Sequence, residues 1–204
     1  DLENALLQYQ RALEIRTRVF GSDHPLVAGS YNNIGVVYKE KGDLENALLQ
    51  YQRALEIRTR VYGQEHLDVA STYNNMAIVY KSQGHYERAL EYYQKSLDIK
   101  IKVVGHDHID VARTYCNMGV VYYSQGQYER ALEYYQKSLD IKIKVVGHDH
   151  IDVATTYNNM GNVYKSQGHY ERALEYYQKS LDIKIKVVGH DHMGVAQTYN
   201  NMAI

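Results

Sequence analysis

The sequence predicts an all-α protein, a solenoid of stacked antiparallel helix pairs. Three observations predict it. The chain repeats with a period of 42 residues: Asp1–Val19 recurs unchanged at Asp43–Val61, and His85–Gly126 recurs as Gln127–Gly168 with 37 of 42 residues the same. Apolar residues follow helical spacing inside every period. One proline, Pro25, stands in 204 residues, and the glycines fall at regular sites. Repetition at this period means small units that bury their cores only against neighbours.

The elements follow in order. A second helix of a unit opens the chain at residues 1–20. Helix pairs then span about 25–62, 67–104, 109–146 and 151–188, and a truncated first helix runs over 193–204, all in one array covering 1–204. In the unit Ile109–Gly147, Ala112, Tyr115, Gly119 and Tyr122 form one stripe of the first helix. Val111, Met118 and Val121 form a second apolar stripe. Tyr128, Ala131, Leu132, Tyr135, Leu139 and Ile143 point inward from the second helix. Glu133 with Lys137, and Asp140 with Lys144, are expected to pair at i, i+4 on its outer side. Gly126 and Gly147 stop the two helices. Pro25 suits a first helical position, and Asp68, Asp110 and Asp152 suit the positive end of a helix dipole. Asp43 is a good cap for its helix; His85, Gln127 and His169 are poorer ones.

Composition limits function. Charged residues make up 23% of the chain and the net charge is −1, so no global field draws nucleic acid or an anionic membrane surface. No apolar run is long enough to span a bilayer, and DLENALL at the N-terminus has neither the basic nor the apolar region of a signal peptide. Cys116 is the only cysteine. It permits no intrachain disulfide and points to a reducing, cytoplasmic setting. There are 22 tyrosines but one Phe and no Trp; a Tyr fills a core while its hydroxyl reaches a polar edge.

The run Tyr157-x2-Met160-Gly161-x2-Tyr164, followed by Ala173-x3-Tyr177, resembles the tetratricopeptide repeat pattern. It recurs as Tyr31, Ile34, Gly35, Tyr38, Ala47 and Tyr51. The closing proline of that pattern is missing, and eight added residues lengthen the second helix by about two turns. This 42-residue variant, with Gly21-Ser22-Asp23-His24-Pro25 before Val27-Ala28, is similar to the repeats of kinesin light chain and nephrocystin-like proteins. The resemblance implies a right-handed superhelix with a concave groove, and a protein-interaction scaffold rather than an enzyme.

Comparison of units within the chain locates a candidate site. Four of the five differences between the units at His85 and Gln127 lie on the first helix: Arg113 against Thr155, Cys116 against Asn158, Val120 against Asn162, and Tyr123 against Lys165. They form one helical stripe. The outer face of the second helix does not vary, since Glu91, Lys95, Asp98 and Lys102 recur as Glu133, Lys137, Asp140 and Lys144. The resemblance places the variable stripe on the concave face. Beside it runs a fixed column, Asn33, Asn75, Asn117, Asn159 and Asn201, and a second column, Asn32, Asn74, Asn158 and Asn200, interrupted by Cys116. Each amide offers donors and an acceptor, so such a ladder suits the backbone of an extended peptide. The alternative is that the amides join adjacent helices. Lys39, Lys81, Arg113 and Lys165 make the groove modestly basic, with Glu40 opposed, which favours an acidic peptide with an apolar or aromatic anchor near Ile78, Val120 and Tyr123. Gln197 completes the expected lining. In kinesin-light-chain-like arrays the similar groove binds short acidic motifs.

Other constellations carry less. His106, His108, His148, His150, His190 and His192, with the aspartates between them, look like a metal ladder, but the spacing matches no closed zinc site. Such loop residues commonly satisfy helix-end N–H groups. No metal and no cofactor is expected. Cys116 has no distinct His and acid to make it a nucleophile. The glycines are helix stops, not a phosphate loop.

The array opens inside one unit and closes inside another, without polar capping helices. That reads as a piece of a longer protein or as an engineered array. It also raises a second possibility, a self-assembling array in which residues 1–20 of one molecule meet 193–204 of another.

Overall fold

The computed structural model describes residues 1–203. Those residues form ten α-helices and no strand. Two compact units divide near Val103. The first holds α1 (Leu2–Phe20), α2 (Pro25–Glu40), α3 (Leu44–Tyr62), α4 (Leu67–Ser82) and α5 (Tyr86–Val104). The second holds α6 (Ile109–Ser124), α7 (Tyr128–Val146), α8 (Ile151–Ser166), α9 (Tyr170–Val188) and α10 (Met193–Met202). Within each unit, short first helices alternate with 19-residue second helices.

Helix starts reflect local chemistry. α2 begins at Pro25, whose missing N–H is no loss in a first turn. Asp1 and Asp43 cap α1 and α3 through their carboxylates. Gln127 and His169 make no side-chain cap bond to α7 and α9. At the other end, Gly147 has φ 83°, a conformation that a side chain would strain, and its N–H donates to the Ile143 carbonyl.

In the first unit, Ala47, Tyr51, Leu55, Val69, Met76 and Val79 form a buried cluster spanning α3 and α4, with Tyr73, Tyr80 and Tyr92 against its edge. Val27 and Ala28 of α2 pack with Ala54 and Ile57 of α3. In the second unit the matching helices bury Tyr135 on α7 and Tyr177 on α9. The ring of Tyr51, of Tyr135 and of Tyr177 presses on a glycine of the preceding first helix. A Cβ on Gly35, Gly119 or Gly161 would come within 2.7 Å of the ring of Tyr51, Tyr135 or Tyr177. These three helix pairs therefore close to a spacing set by a bare backbone meeting a tyrosine ring, while α4 carries Ala77 at the matching place.

Within each unit, a buried or half-buried cation joins a second helix to the first helix that follows it. Lys142 on α7 donates to Thr156 Oγ1 on α8 at 2.8 Å and to the Asp152 carbonyl at 3.3 Å. Lys184 on α9 donates to Thr198 on α10 at 2.7 Å. In the first unit Arg16 reaches Ser30, and Arg58 reaches Thr72, both at 2.7 Å. Burial lowers the pKa of Lys184 and of Arg58. Charge-assisted hydrogen bonds contribute about 1.5–3 kcal/mol each. Lys142 lies two turns beyond Tyr135, on the inward stripe of α7, which is the sequence signal for this joint.

A second, exposed link crosses the loops. Lys144 and Lys186 pair with Asp107 and Asp149, and Arg60 and Lys102 pair with Asp23 and Glu65. The expected Asp140–Lys144 pair does not form. Lys144 reaches across to the loop carboxylate instead, and Asp140 accepts from Gln136 at 2.7 Å. The Glu133–Lys137 pair does form, at 2.6 Å.

Candidate functional site

The first helices carry the candidate residues. α2 presents Asn32, Asn33 and Lys39, and α4 presents Asn74, Asn75, Ile78 and Lys81, all half-buried. On α6, Arg113 is exposed while Cys116, Asn117, Val120 and Tyr123 are half-buried. On α8, Thr155 is exposed and Asn158, Asn159, Asn162 and Lys165 are half-buried. On α10, Gln197 and Asn200 are exposed and Asn201 is half-buried.

The two asparagine columns meet. Asn75 Nδ2 donates to Asn32 Oδ1 at 3.0 Å, and Asn201 Nδ2 donates to Asn158 Oδ1 at 3.0 Å. Between them in kind is a weaker contact, Asn159 Nδ2 to Cys116 Sγ at 3.7 Å. Each bond runs the same way, from the fixed column of one helix to the variable column of the first helix before it. The amides thus join adjacent first helices within each unit. An amide has two donors and two lone pairs, so one such bond uses only part of its capacity.

The variable stripe is less uniform than a solvent-facing strip. Asn162 accepts a 2.7 Å hydrogen bond from the hydroxyl of the core residue Tyr177. Val120 holds the matching place above Tyr135, whose phenol burial pushes far up; that of Tyr177 is pushed up to about 12, again by burial. Tyr123 shares a 2.9 Å hydrogen bond with Ser166. Burial pushes the Cys116 thiol up, and the Lys142 charge opposes this only in part. Cys116, Val120 and Tyr123 together make α6 the least polar of these first-helix faces.

Three of the four cations of the stripe have local partners. Lys39 lies 2.8 Å from Glu40, whose carboxyl it holds below the usual range. Arg113 lies 3.3 Å from Asp110 and 3.7 Å from Asp152. Lys165 donates to the Asn201 carbonyl at 3.2 Å.

The histidine loops act as caps. Nδ1 of His66, His108, His150 and His192 accepts from the backbone N–H two residues on, at 3.0–3.1 Å, and His24 does so at 3.2 Å. That occupies one nitrogen of His108, His150 and His192, while Asp107 and Asp149 are held by lysines. His106, His148 and His190 are exposed. Among the described residues, no three His, Cys, Asp or Glu side chains gather as metal ligands, and no helix is long and apolar enough to cross a membrane.

The tetratricopeptide repeat pattern matches residues 1–60, 28–102, 68–144, 110–186 and 152–204. No curated protein matches the sequence. Among solved structures, BtubC (BKLC) from P. vanneervenii is similar over 98% of this chain and 81% of that one, with a TM-score of 0.84 and 22% identity. A putative kinesin light chain from Podosopora anserina, with nearly identical TPR-like repeats, is similar over 92% of this chain and 89% of that one, at TM-score 0.74 and 18% identity. MamA is similar over 91% and 90%, at TM-score 0.60 and 18% identity. At such identities the likeness is one of fold. With the pattern matched in every part, the chain belongs to the tetratricopeptide repeat family.

Proposed function

We propose that the first-helix faces bind an extended segment of a partner protein, with acidic residues directed at Lys39 and Lys81 in the first unit or at Lys165 in the second, and that the chain performs no catalysis. The observation that carries this reading is the tie between half-buried amides of adjacent first helices, present in each unit and running in the same direction, beside the stripe that differs between otherwise matching repeats. Amides with remaining donors and acceptors can meet a backbone at regular intervals. The apolar strip Cys116, Val120 and Tyr123 suits an apolar or aromatic anchor. A cytoplasmic setting suits the lone thiol. Acidic peptide libraries test the reading. The best binder should lose at least about tenfold in affinity, or about 1.4 kcal/mol, against Asn117→Ala with Asn159→Ala. A folded double variant that binds unchanged overturns it.

A second reading rests on two helices of nearly identical sequence. Tyr51 and Ile57 on α3 are 1% and 7% exposed, whereas Tyr9 and Ile15, their counterparts on α1, are 37% and 59% exposed. The α1 face that α3 buries against a first helix is open. We propose that the α10 region of a second copy can occupy it, giving head-to-tail assembly. Sedimentation velocity over a range of concentrations should show association that Ile15→Lys abolishes. A monomer at every concentration rules the assembly out.

A further inference from the structure

The amide row has a carboxylate on one side and an ammonium on the other. On α4, Asp68 lies seven residues before Asn75 and Lys81 six residues after it; on α8, Asp152 and Lys165 hold the same places around Asn159. Seven residues of helix are about 10 Å and six about 9 Å. Seven residues are also nearly two whole turns, so each Asp shares its asparagine's helix face. The floor is neutral, and its two edges carry opposite charge.

An extended chain whose N–H and C=O groups face that floor cannot point its side chains at it. Successive side chains of a strand leave on opposite sides, roughly perpendicular to the backbone hydrogen-bonding direction. They therefore point alternately toward the N-terminal and the C-terminal ends of the first helices. We infer that the preferred partner is an extended segment of alternating charge, with cationic residues facing Asp68 or Asp152 and acidic residues facing Lys81 or Lys165. This rests on the peptide-binding reading above and narrows its acidic preference to every second residue.

The chain supplies its own example of the cationic half. The Arg113 guanidinium bridges Asp110 and Asp152, at 3.3 and 3.7 Å. A guanidinium thus fits that edge, and a partner arginine would compete with Arg113 for it. Thr155 and Ser71 stand where Arg113 stands, so this occupant is specific to α6.

Three twelve-residue peptides separate the possibilities by calorimetric titration at low salt. One alternates Asp and Arg. A second has the same composition rearranged as Asp-Asp-Arg-Arg repeats, which puts both charges on both sides. The third is all Asp. Asp is a poor helix former, which keeps all three extended. The alternating peptide should bind at least about tenfold more tightly than its rearrangement, a gap of about 1.4 kcal/mol. Arg113→Thr should strengthen that binding, and Asp152→Asn should weaken it while leaving the all-Asp peptide no weaker. Equal affinity for alternating and rearranged peptides overturns the inference, as does tighter binding of the all-Asp peptide, which leaves the general acidic reading standing. Failure of all three peptides, together with failure of the acidic library, removes both.

Discussion

Asn201 on α10 donates its side-chain amide to Asn158 on α8 across 3.0 Å, and neither residue is fully buried. The bond is a lateral tie between first helices as well as part of the proposed binding floor. Asn158→Ala should cost about 1 kcal/mol of stability, the usual net worth of one neutral hydrogen bond. Asn158→Ala with Asn201→Ala should cost little more than either alone, because both changes delete one interaction. Urea unfolding of the four proteins checks this; fully additive costs would show that the amides act independently.

Histidine is an unusual helix cap, and here the cap needs a neutral ring whose Nδ1 accepts. His150→Ala should cost about 1 kcal/mol. His150→Asn should recover most of it, because Asn offers an acceptor oxygen at the same helix start. Thermal unfolding of both variants tests the capping role. If His150→Ala melts like the parent, the 3.1 Å bond contributes nothing.

The Lys142–Thr156 joint is asymmetric in its predicted response. Thr156→Val removes one acceptor from a buried ammonium and should cost about 1–3 kcal/mol. Adding Lys142→Met should return much of that loss, since an apolar pair needs no hydrogen bonds. Denaturant midpoints of the two single variants and the double variant supply the test.

Burial raises the Cys116 thiol pKa. A raised value means that near neutral pH the folded protein holds less thiolate than the unfolded chain, and thiolate is the reactive form. Alkylation of Cys116 by iodoacetamide should therefore run more slowly in the native protein than in urea, with the gap narrowing as pH rises. Equal rates near neutral pH contradict it.

The all-α class and the repeat were legible because they are periodic: glycine stops, Pro25 and the Ala–Tyr stripes recur at fixed offsets, and local rules suffice to read them. The caps at His108 and His150 were legible in kind, as loop residues serving helix N–H groups. The lysine joints are not marked in the sequence beyond the place of Lys142 on the stripe of Tyr135 and Leu139. A cation on an inward stripe makes sense only when its acceptor, Thr156, arrives from the next pair. The asparagine columns were readable as columns, but which amide each one faced depended on the offset between neighbouring helices, and one chain's periodicity does not contain that offset. The same holds for Lys144, whose choice of Asp107 over Asp140 is made by a loop folding back. Asn162 is a variable position, and its bond to Tyr177 shows that one member of the stripe also serves the core.

The joints also bear on how such a chain changes length. Lys142 meets Thr156 fourteen residues on, and Lys184 meets Thr198 at the same remove. Excising residues 143–184 sets Lys142 fourteen positions before Thr198, so the cut ends find a ready-made fit. Gene rearrangements in steps of one period therefore add or subtract links without inventing a new seam, and the reach of the molecule becomes a quantity that copying errors alone can tune.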